Sequence, residues 1–250
     1  MEFIIGASSA VGAVIFTNPL EVVKTRFQLQ GELKKKGQYT VHYKNFFHAF
    51  YLIGKTEGVL ALQKGLASAA IHQAKIRLQS QANKSIAVGY QHEAKNTFGI
   101  LNSVYREGGI TGLWRGVIGS VPRICVGSAS QLTAFYVSKE FLANNKYFVI
   151  HSGLLNTFVS SMIGGIFVAI TMGPLDVIST RLYNQGITKD GKGILYNGYF
   201  DCVTKIWKTE GFKGFYKGIV PCYMRIGPHT VLCFVFWDEL KKLQAYLEKK

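Results

Sequence analysis

Two arginines stand alone in long apolar stretches of this 250-residue sequence. Arg123 interrupts the run of residues 116–138, and Arg225 interrupts the run of residues 219–237. A lone charge in a membrane helix must face a polar partner or a wet cavity, because exposing it to hydrocarbon costs several kcal/mol. Two guanidinium groups that face one cavity can each hold a carboxylate through paired hydrogen bonds. The pattern therefore favours a small dicarboxylate as ligand.

Further apolar stretches of the chain are long enough to cross a membrane. Residues 3–20 carry no charge over eighteen positions, and residues 148–175 carry none over twenty-eight, with His151 as the one titratable group. These lengths match a hydrocarbon core of about 30 Å. A soluble helical bundle is the alternative, but such a fold has little place for a twenty-eight-residue uncharged run. The sequence therefore predicts an all-α membrane protein.

The composition excludes several other classes of protein. The sequence is 48% hydrophobic and 17% charged, and its 29 Lys and Arg against 14 Asp and Glu give a net charge of +15. Its basic residues flank the apolar runs and do not form one face of a soluble module, so we expect no nucleic-acid partner. No glycine-rich phosphate loop, HxxxH pair or CxxC pair occurs in the sequence. We therefore expect no enzyme activity, no cofactor and no metal site.

An internal repeat organises the chain. Three segments align, namely EGVLALQKG (57–65), EGGITGLWRG (107–116) and EGFKGFYKG (210–218). Upstream of them lie PLEVVKTRFQLQ (19–30), PLDVISTRLYNQ (174–185) and a shorter copy, KIRLQSQ (75–81). The separations are 33, 32 and 31 residues for Lys24 to Glu57, Lys75 to Glu107 and Ser179 to Glu210. Agreement of two motifs at three similar separations predicts three tandem repeats, which we place at 1–73, 74–146 and 147–250.

The paired motifs resemble the mitochondrial carrier family, solute carrier family 25. The resemblance covers essentially the whole chain and rests on Pro-x-(Asp/Glu)-x-x-(Lys/Arg) followed by (Asp/Glu)-Gly and an aromatic-(Lys/Arg)-Gly ending. Within the family, TNPLEVVKTRFQLQGEL, GLWRG, VGSASQL, TRLYNQ and RIGPHT are most similar to the branch of members 34 and 35. That branch is similar to oxaloacetate and dicarboxylate carriers.

The resemblance implies a fold and a function. The fold would be three repeats of two transmembrane helices, each with a short matrix helix, around a pseudo-threefold axis and one central cavity. The function would be a monomeric, multi-pass carrier of the mitochondrial inner membrane that exchanges a small anionic metabolite by alternating access. The lipid bilayer would be its other partner, with cardiolipin as a candidate lipid at the matrix side.

The resemblance also implies a gate at the matrix side. Pro19 and Pro174 are expected to kink their helices. Just beyond the kinks, the gate would comprise Glu21, Lys24, Lys75, Asp176 and Ser179. We expect Glu21 to pair with Lys75, and Asp176 to pair with Lys24. Ser179 stands where the family has a base, so a third pair would be neutral. Ordinary interhelical ion pairs without a gating role are the alternative.

A second gate is expected at the cytoplasmic side. The segments FYVSK and WDELK resemble its aromatic-acid-x-x-base pattern, with the candidate residues Tyr136, Lys139, Asp238 and Lys241. Tyr136 stands where the family has an acid, so the clearer pair is Lys139 with Asp238. Arg123 and Arg225 precede Lys139 and Asp238 by 16 and 13 residues. At 1.5 Å per residue they lie about 20 Å deeper, near the middle of the membrane.

The candidate substrate-binding residues are expected to line one cavity. They are Arg123, Arg225, Ser128, Gln131 and His229. His229 could either tune proton-coupled exchange or make a structural hydrogen bond.

One stretch departs from the repeat. Residues 65–73 provide nine uncharged positions where two membrane segments of about 20–25 residues each belong, so about 50 residues are missing after Gln73. Helices two and three of the carrier pattern would then be truncated and fused. The shortened chain could accordingly be a transport-inactive splice or gene-model variant. A proton or anion leak like that of uncoupling proteins, and a purely structural role, also stay open.

Overall fold

The described part of the chain is almost entirely helical. The computed structural model describes residues 2–35, 38–64, 72–92, 96–144, 153–188 and 193–248. Its long helices are α1 (Glu2–Leu29), α4 (Thr97–Asn144), α5 (Gly153–Asn184) and α7 (Ile219–Glu248). Its shorter helices are α2 (Phe46–Glu57), α3 (His72–Ser80) and α6 (Tyr199–Glu210). Turns of 3₁₀ helix follow α2 and α6 at Val59–Gln63 and Phe212–Tyr216. The predicted all-α class is confirmed.

Glycines of the repeated motif end the short helices. Gly58 and Gly211, which follow α2 and α6, have φ of 86° and 67°, values that residues with a side chain rarely adopt. In the second repeat, Gly109 has φ of 58° and separates a short helical segment, residues 97–108, from the long part of α4. The second motif has one extra residue, so its glycine with positive φ lies two residues after the motif's glutamate and not one. Each repeat thus contributes one short helix to the same end of the molecule.

Proline lies inside each of the long helices. Pro19 and Pro174 occupy α1 and α5, as the motif predicts, and Pro122 and Pro228 occupy α4 and α7. Each proline removes one backbone hydrogen bond and bends its helix. Among the described residues, the segment Met162–Asn184 of α5 is long and apolar enough to cross a membrane, with a mean hydropathy of 1.7.

The long helices form an open arc. α4 packs against α5, α5 against α7, and α7 against α1. Between α1 and α4, the described element is α3, which contacts both of them and α5. With nine residues at 1.5 Å each, α3 covers less than half of a hydrocarbon core of about 30 Å. α3 therefore fits the truncated helix that the shortened sequence predicts, and among the described residues it closes the arc at the short-helix end alone.

Two matching ion networks fasten the short helices to the long ones. Arg26 of α1 bonds both carboxylate oxygens of Glu57 at 2.6 and 3.0 Å, and Arg181 of α5 bonds those of Glu210 at 2.5 and 3.0 Å. Lys64 and Lys217, the last charged residues of the two motifs, also contact Glu57 and Glu210, at 2.7 and 2.5 Å. In each of these repeats, the glutamate at the start of the motif therefore forms ion pairs both with the lysine near its end and with one buried arginine.

Glu210 and Glu57 stay ionised within these networks. Burial alone would raise the pKa of the Glu210 carboxyl, but the hydrogen bonds and charge of Arg181 and Lys217 lower that pKa below its usual value. Glu57 behaves in the same way with Arg26 and Lys64. Because these pKa values are lowered in the folded state, the networks contribute stability above the usual carboxyl pKa. That contribution is lost as the pH falls through the lowered values.

Removing one carboxylate should destabilise the protein strongly. Glu210→Gln removes the carboxylate that is hydrogen-bonded to the fully buried Arg181, a loss that typically costs about 3–5 kcal/mol. For a chain of this size, about 2–4 °C of melting temperature corresponds to each kcal/mol. We therefore expect thermal unfolding in detergent to shift down by at least about 6 °C. The matched control is Glu239→Gln, whose exposed carboxylate pairs with Lys242 at 2.6 Å and whose loss should change the melting temperature by less than about 2 °C. Equal shifts for both variants would contradict a structural role for the network.

Candidate functional site

A cavity lies between α4, α5 and α7, beside the short-helix end. Its volume is about 210 Å³, and its lining comprises Arg123, Ile124, Gly127, Ser128, Val168, Met172, Arg225, Ile226 and His229. Four of the five predicted substrate-binding residues are in this set, namely Arg123, Ser128, Arg225 and His229. The side chain of the fifth, Gln131, lies outside the described residues.

Close packing of two helices shapes the cavity. A side chain at Gly127 would place its Cβ 3.0 Å from the Met172 sulfur, so glycine allows α4 and α5 to approach each other here. The walls on either side are apolar, from Ile124, Val168 and Ile226. The two arginines therefore supply nearly all of the charge on the cavity surface.

Both arginines have hydrogen-bonding capacity to spare. Arg123 Nη1 lies 3.5 Å from Asp176 Oδ1, and Arg225 Nη1 lies 3.4 Å from Glu21 Oε1, which are long contacts for ion pairs. The Nε atoms of Arg123 and Arg225 are buried and have no hydrogen-bond partner within the described part of the chain. Since buried donors are normally paired, both guanidinium groups have hydrogen bonds left to make.

The predicted matrix-gate residues lie next to the two arginines of the cavity. Lys24 Nζ contacts Asp176 Oδ2, and Lys75 Nζ contacts Glu21 Oε2. These are the pairs that the family resemblance implies, and they connect α1 to α5 and α1 to α3. Ser179 lies one turn beyond Asp176, is 1% exposed and adds no charge to this layer.

Each gate carboxylate is shared between a lysine and a cavity arginine. Asp176 contacts both Lys24 and Arg123, and also lies 3.7 Å from the thiol of Cys222. Glu21 contacts both Lys75 and Arg225. Sequence reasoning missed this link, because the spacing within one repeat does not define distances between residues of different repeats. The link joins the cavity directly to the ion-pair layer.

His229 is held by protein groups on both ring nitrogens. Nδ1 lies 3.3 Å from the Thr17 hydroxyl oxygen, and Nε2 lies 3.7 Å from the thiol sulfur of Cys233. The Thr17 hydroxyl donates to the Ala13 carbonyl at 3.0 Å, so it accepts from Nδ1–H of the neutral ring. Of the two roles left open by the sequence, this geometry favours the structural hydrogen bond, which ties α7 to α1. Thr17 and Cys233 carry no sequence signal that would have identified them.

The predicted cytoplasmic gate is only partly described. Tyr136 is exposed on α4, and Lys241 Nζ lies 5.0 Å from the centre of the Trp237 ring on α7. Lys139 and Asp238 belong to these helices, but their side chains lie outside the described residues. Their pairing stays a prediction.

Comparison with known proteins agrees with the repeat. The family model described as "Mitochondrial carrier protein" matches residues 1–74, 67–146 and 151–247. The first two matches overlap at 67–74, at the shortened stretch. The chain is 40% identical to solute carrier family 25 member 35 of Homo sapiens, over 97% of this chain and 98% of that protein. It is 31% identical to the mitochondrial 2-oxoglutarate/malate carrier protein of Mus musculus, over 97% of this chain and 90% of that protein.

The lengths of two alignments bear on the missing segment. The alignment with the human protein has 295 positions, although 97% of this chain is about 243 residues, so about 50 human residues have no counterpart here. Solute carrier family 25 member 35 of Bos taurus is 41% identical over 244 positions, which cover 96% of this chain and 97% of that protein. The bovine alignment leaves no room for a gap of that size. The bovine protein therefore shares the short form.

The structure agrees with these comparisons. It has three repeats with matching motifs and short helices at one end, and its long helices surround an arginine-lined cavity. Family-model matches cover nearly the entire sequence. The chain belongs to the mitochondrial carrier family, whose members are multi-pass transporters of the mitochondrial inner membrane and not enzymes.

Proposed function

We propose that this carrier exchanges a small dicarboxylate, such as a 2-oxo or hydroxy dicarboxylate, across the inner membrane. The observation that carries the proposal is the charge of the cavity and its floor. Among the described side chains, four cations, Arg123, Arg225, Lys24 and Lys75, share the two carboxylates of Glu21 and Asp176. The excess of two positive charges is what a dianion neutralises. The likeness to a 2-oxoglutarate/malate carrier supports the same substrate class.

Substrate binding would loosen the matrix gate through the shared carboxylates. A carboxylate that bonds the Arg123 guanidinium competes with Asp176 for that group, and the second carboxylate competes with Glu21 for Arg225. The 3.5 and 3.4 Å contacts would be replaced first, because they are long and single. Glu21 and Asp176 are then held by one lysine each. The ion-pair layer therefore opens more easily when the cavity is filled.

The same charge excess favours exchange over leak. An empty cavity keeps two unneutralised cations at a depth where the effective dielectric constant is low. Rearranging the helices in that state costs free energy. The empty carrier therefore changes slowly from one open side to the other, and a bound counter-substrate speeds that change. An uncoupling-type leak requires the opposite, an empty carrier that conducts.

The open arc favours a second candidate function. Because α3 closes the space between α1 and α4 at one end alone, the wall of the cavity is incomplete within the described residues. A carrier with an incomplete wall could bind the dicarboxylate without moving it. Exchange and binding therefore have to be measured separately.

Neutralising either arginine should abolish exchange. In liposomes loaded with malate, Arg123→Gln or Arg225→Gln should lower uptake of labelled malate at least tenfold. A hydrogen bond to a charged group contributes about 1.5–3 kcal/mol, which corresponds to tenfold or more. Lys208→Gln removes an exposed charge on α6 and serves as the matched control with unchanged uptake. The dicarboxylate proposal is wrong if both arginine variants keep full uptake, or if the wild type carries cations and no carboxylate. Loss of a malate-induced thermal shift in the variants, with no uptake by the wild type, would establish the second candidate.

Restoring the missing wall should raise the exchange rate. We would compare this chain with a version that carries the corresponding segment of the human protein after Gln73. We expect measurable exchange by the short form and faster exchange by the restored form, because the cavity then excludes lipid and presents all its walls. No exchange by the short form beside active exchange by the restored one would favour binding without transport. Equal rates would show that the truncated wall is not needed.

Breaking one gate pair should open the matrix side. Lys75→Gln leaves Glu21 with Arg225 alone, so the layer between α1 and α3 is weaker. We would introduce Ser179→Cys, at a position buried beneath the gate, into a chain whose native cysteines are replaced, and label it with an impermeant maleimide from the matrix side. Labelling should be about five- to tenfold faster with Lys75→Gln, as expected for the loss of about 1 kcal/mol. Lys84→Gln, at an exposed site outside the gate, is the control. Unchanged labelling would mean that the ion pair has no gating role.

A further inference from the structure

We propose that Asn184 closes the third side of the matrix gate, between α3 and α5, as an uncharged hydrogen-bonded clamp that a bound anion does not loosen. Asn184 is the last residue of α5 and is fully buried. The inference rests on the alternating access of the proposed function, and it assigns a further residue to the gate.

The ion-pair layer leaves one of its three sides without a pair. Its two pairs join α1 to α5 and α1 to α3. On the side between α3 and α5, the repeat places His72 where the acid belongs and Ser179 where the base belongs. Neither residue carries a carboxylate, so an ion pair of the same kind cannot form there. This side of the gate has to be held in another way.

Three hydrogen bonds of Asn184 close this side just beyond the ion-pair layer. Asn184 lies five residues after Ser179, which is about 7.5 Å further along α5. Its Oδ1 accepts a hydrogen bond at 2.5 Å from Oγ of Ser80, the last residue of α3. Its Nδ2 donates to the Tyr90 carbonyl at 3.2 Å, and its own carbonyl oxygen lies 2.9 Å from His92 Nε2. α5 is therefore tied both to the end of α3 and to the loop that follows α3.

A glycine lets that loop come close enough to reach Asn184. Gly89 has φ of 67°, and a Cβ at this position would lie 2.7 Å from Asn184 Nδ2 and 3.1 Å from the Leu29 Cβ. Leu29, Ser80 and Asn184 occupy equivalent positions of the three repeats, and all three are fully buried. The repeats thus meet in one layer, in which the second and third repeats are joined by polar side chains.

The clamp carries no charge at neutral pH. Burial, and after it the positive charge of Arg77, lower the pKa of His92 to about 4, so its ring is neutral. The carbonyl oxygen of Asn184 can only accept, so Nε2 of this ring carries the hydrogen. The carbonyl oxygen of Tyr90 likewise only accepts, which orients the Asn184 amide with Nδ2 toward the loop. Every donor in the clamp therefore meets an acceptor without an ion.

An uncharged clamp responds to substrate differently from the two ion pairs. An anion in the cavity competes for Arg123 and Arg225 and so acts on the carboxylates of the ion pairs. It has no opposite charge to bind at Asn184. Water can replace neutral hydrogen bonds when the interface opens, so their net contribution is modest and the clamp can break. The clamp therefore sets the resistance to opening that remains while the cavity is empty.

Labelling of a cysteine behind the gate measures this opening without any substrate. Ser179→Cys, in a chain whose native cysteines are replaced, is labelled with an impermeant maleimide in vesicles that expose the matrix face. Without malate, Asn184→Ala should label at least about fivefold faster, as expected for the loss of two neutral hydrogen bonds. Ser80→Ala removes one of the same bonds and should give a smaller increase. Asn197→Ala makes the same change at an exposed site of the third repeat and should label like the parent chain.

A reversible crosslink separates a gate contact from a contact that only stabilises the fold. Ser80→Cys/Asn184→Cys places two thiols where the side chains now touch, again without the native cysteines. Oxidation should abolish malate exchange and a reductant should restore it, because α3 and α5 have to separate before the matrix side opens. A contact that stays closed throughout transport would tolerate the crosslink.

Two outcomes would overturn the inference. They are unchanged labelling in folded Asn184→Ala or, where that variant does not fold, in Ser80→Ala, and full exchange by the oxidised double-cysteine chain. Thermal unfolding beside the parent chain shows which variants are folded. If the wild type carries no malate, the proposed function fails, and the labelling rates still decide the clamp. Normal exchange with unchanged labelling contradicts the clamp alone.

Discussion

Two carboxylates pair with four cations at the centre of this bundle, and most of the cavity's properties depend on that excess of positive charge. Glu21 and Asp176 each hold a lysine of the ion-pair layer and, more loosely, an arginine of the cavity. An uncompensated charge inside a membrane protein costs free energy, so the cavity favours binding of anions. An anion in the cavity competes with the arginine contacts of the same two carboxylates.

The ion pairs around the short helices and those of the cavity arginines differ in geometry. Arg26 and Arg181 are fully buried and hold their glutamates through paired hydrogen bonds, with a second cation from the same motif on each. The cavity arginines make single contacts of 3.4 and 3.5 Å. The arginine of each short-helix network lies only two residues beyond the Lys24 or Ser179 position of the other layer. In each of these two repeats, a doubly bonded and fully buried arginine thus lies next to the ion-pair layer.

The repeat made much of this architecture predictable. Motif spacing and the family resemblance led to the three-repeat fold, the four lysine and carboxylate positions and the depth of Arg123 and Arg225. The sharing of Asp176 and Glu21 could not be read in the same way, because it depends on how far side chains of three repeats reach across the axis. The partners of His229 were equally hidden, since a threonine and a cysteine on apolar helices are ordinary residues until tertiary packing brings them together.

The position of the truncation has a consequence for membrane insertion. α1 and α3 run in the same direction and both end at the short-helix end of the molecule, and the segment lost between them would have crossed the membrane and returned. The number of crossings therefore changes by two, and its parity is kept. α4, α5 and α7 insert with the direction that they have in a full-length relative, so the loops that the short and long forms share face the same compartments.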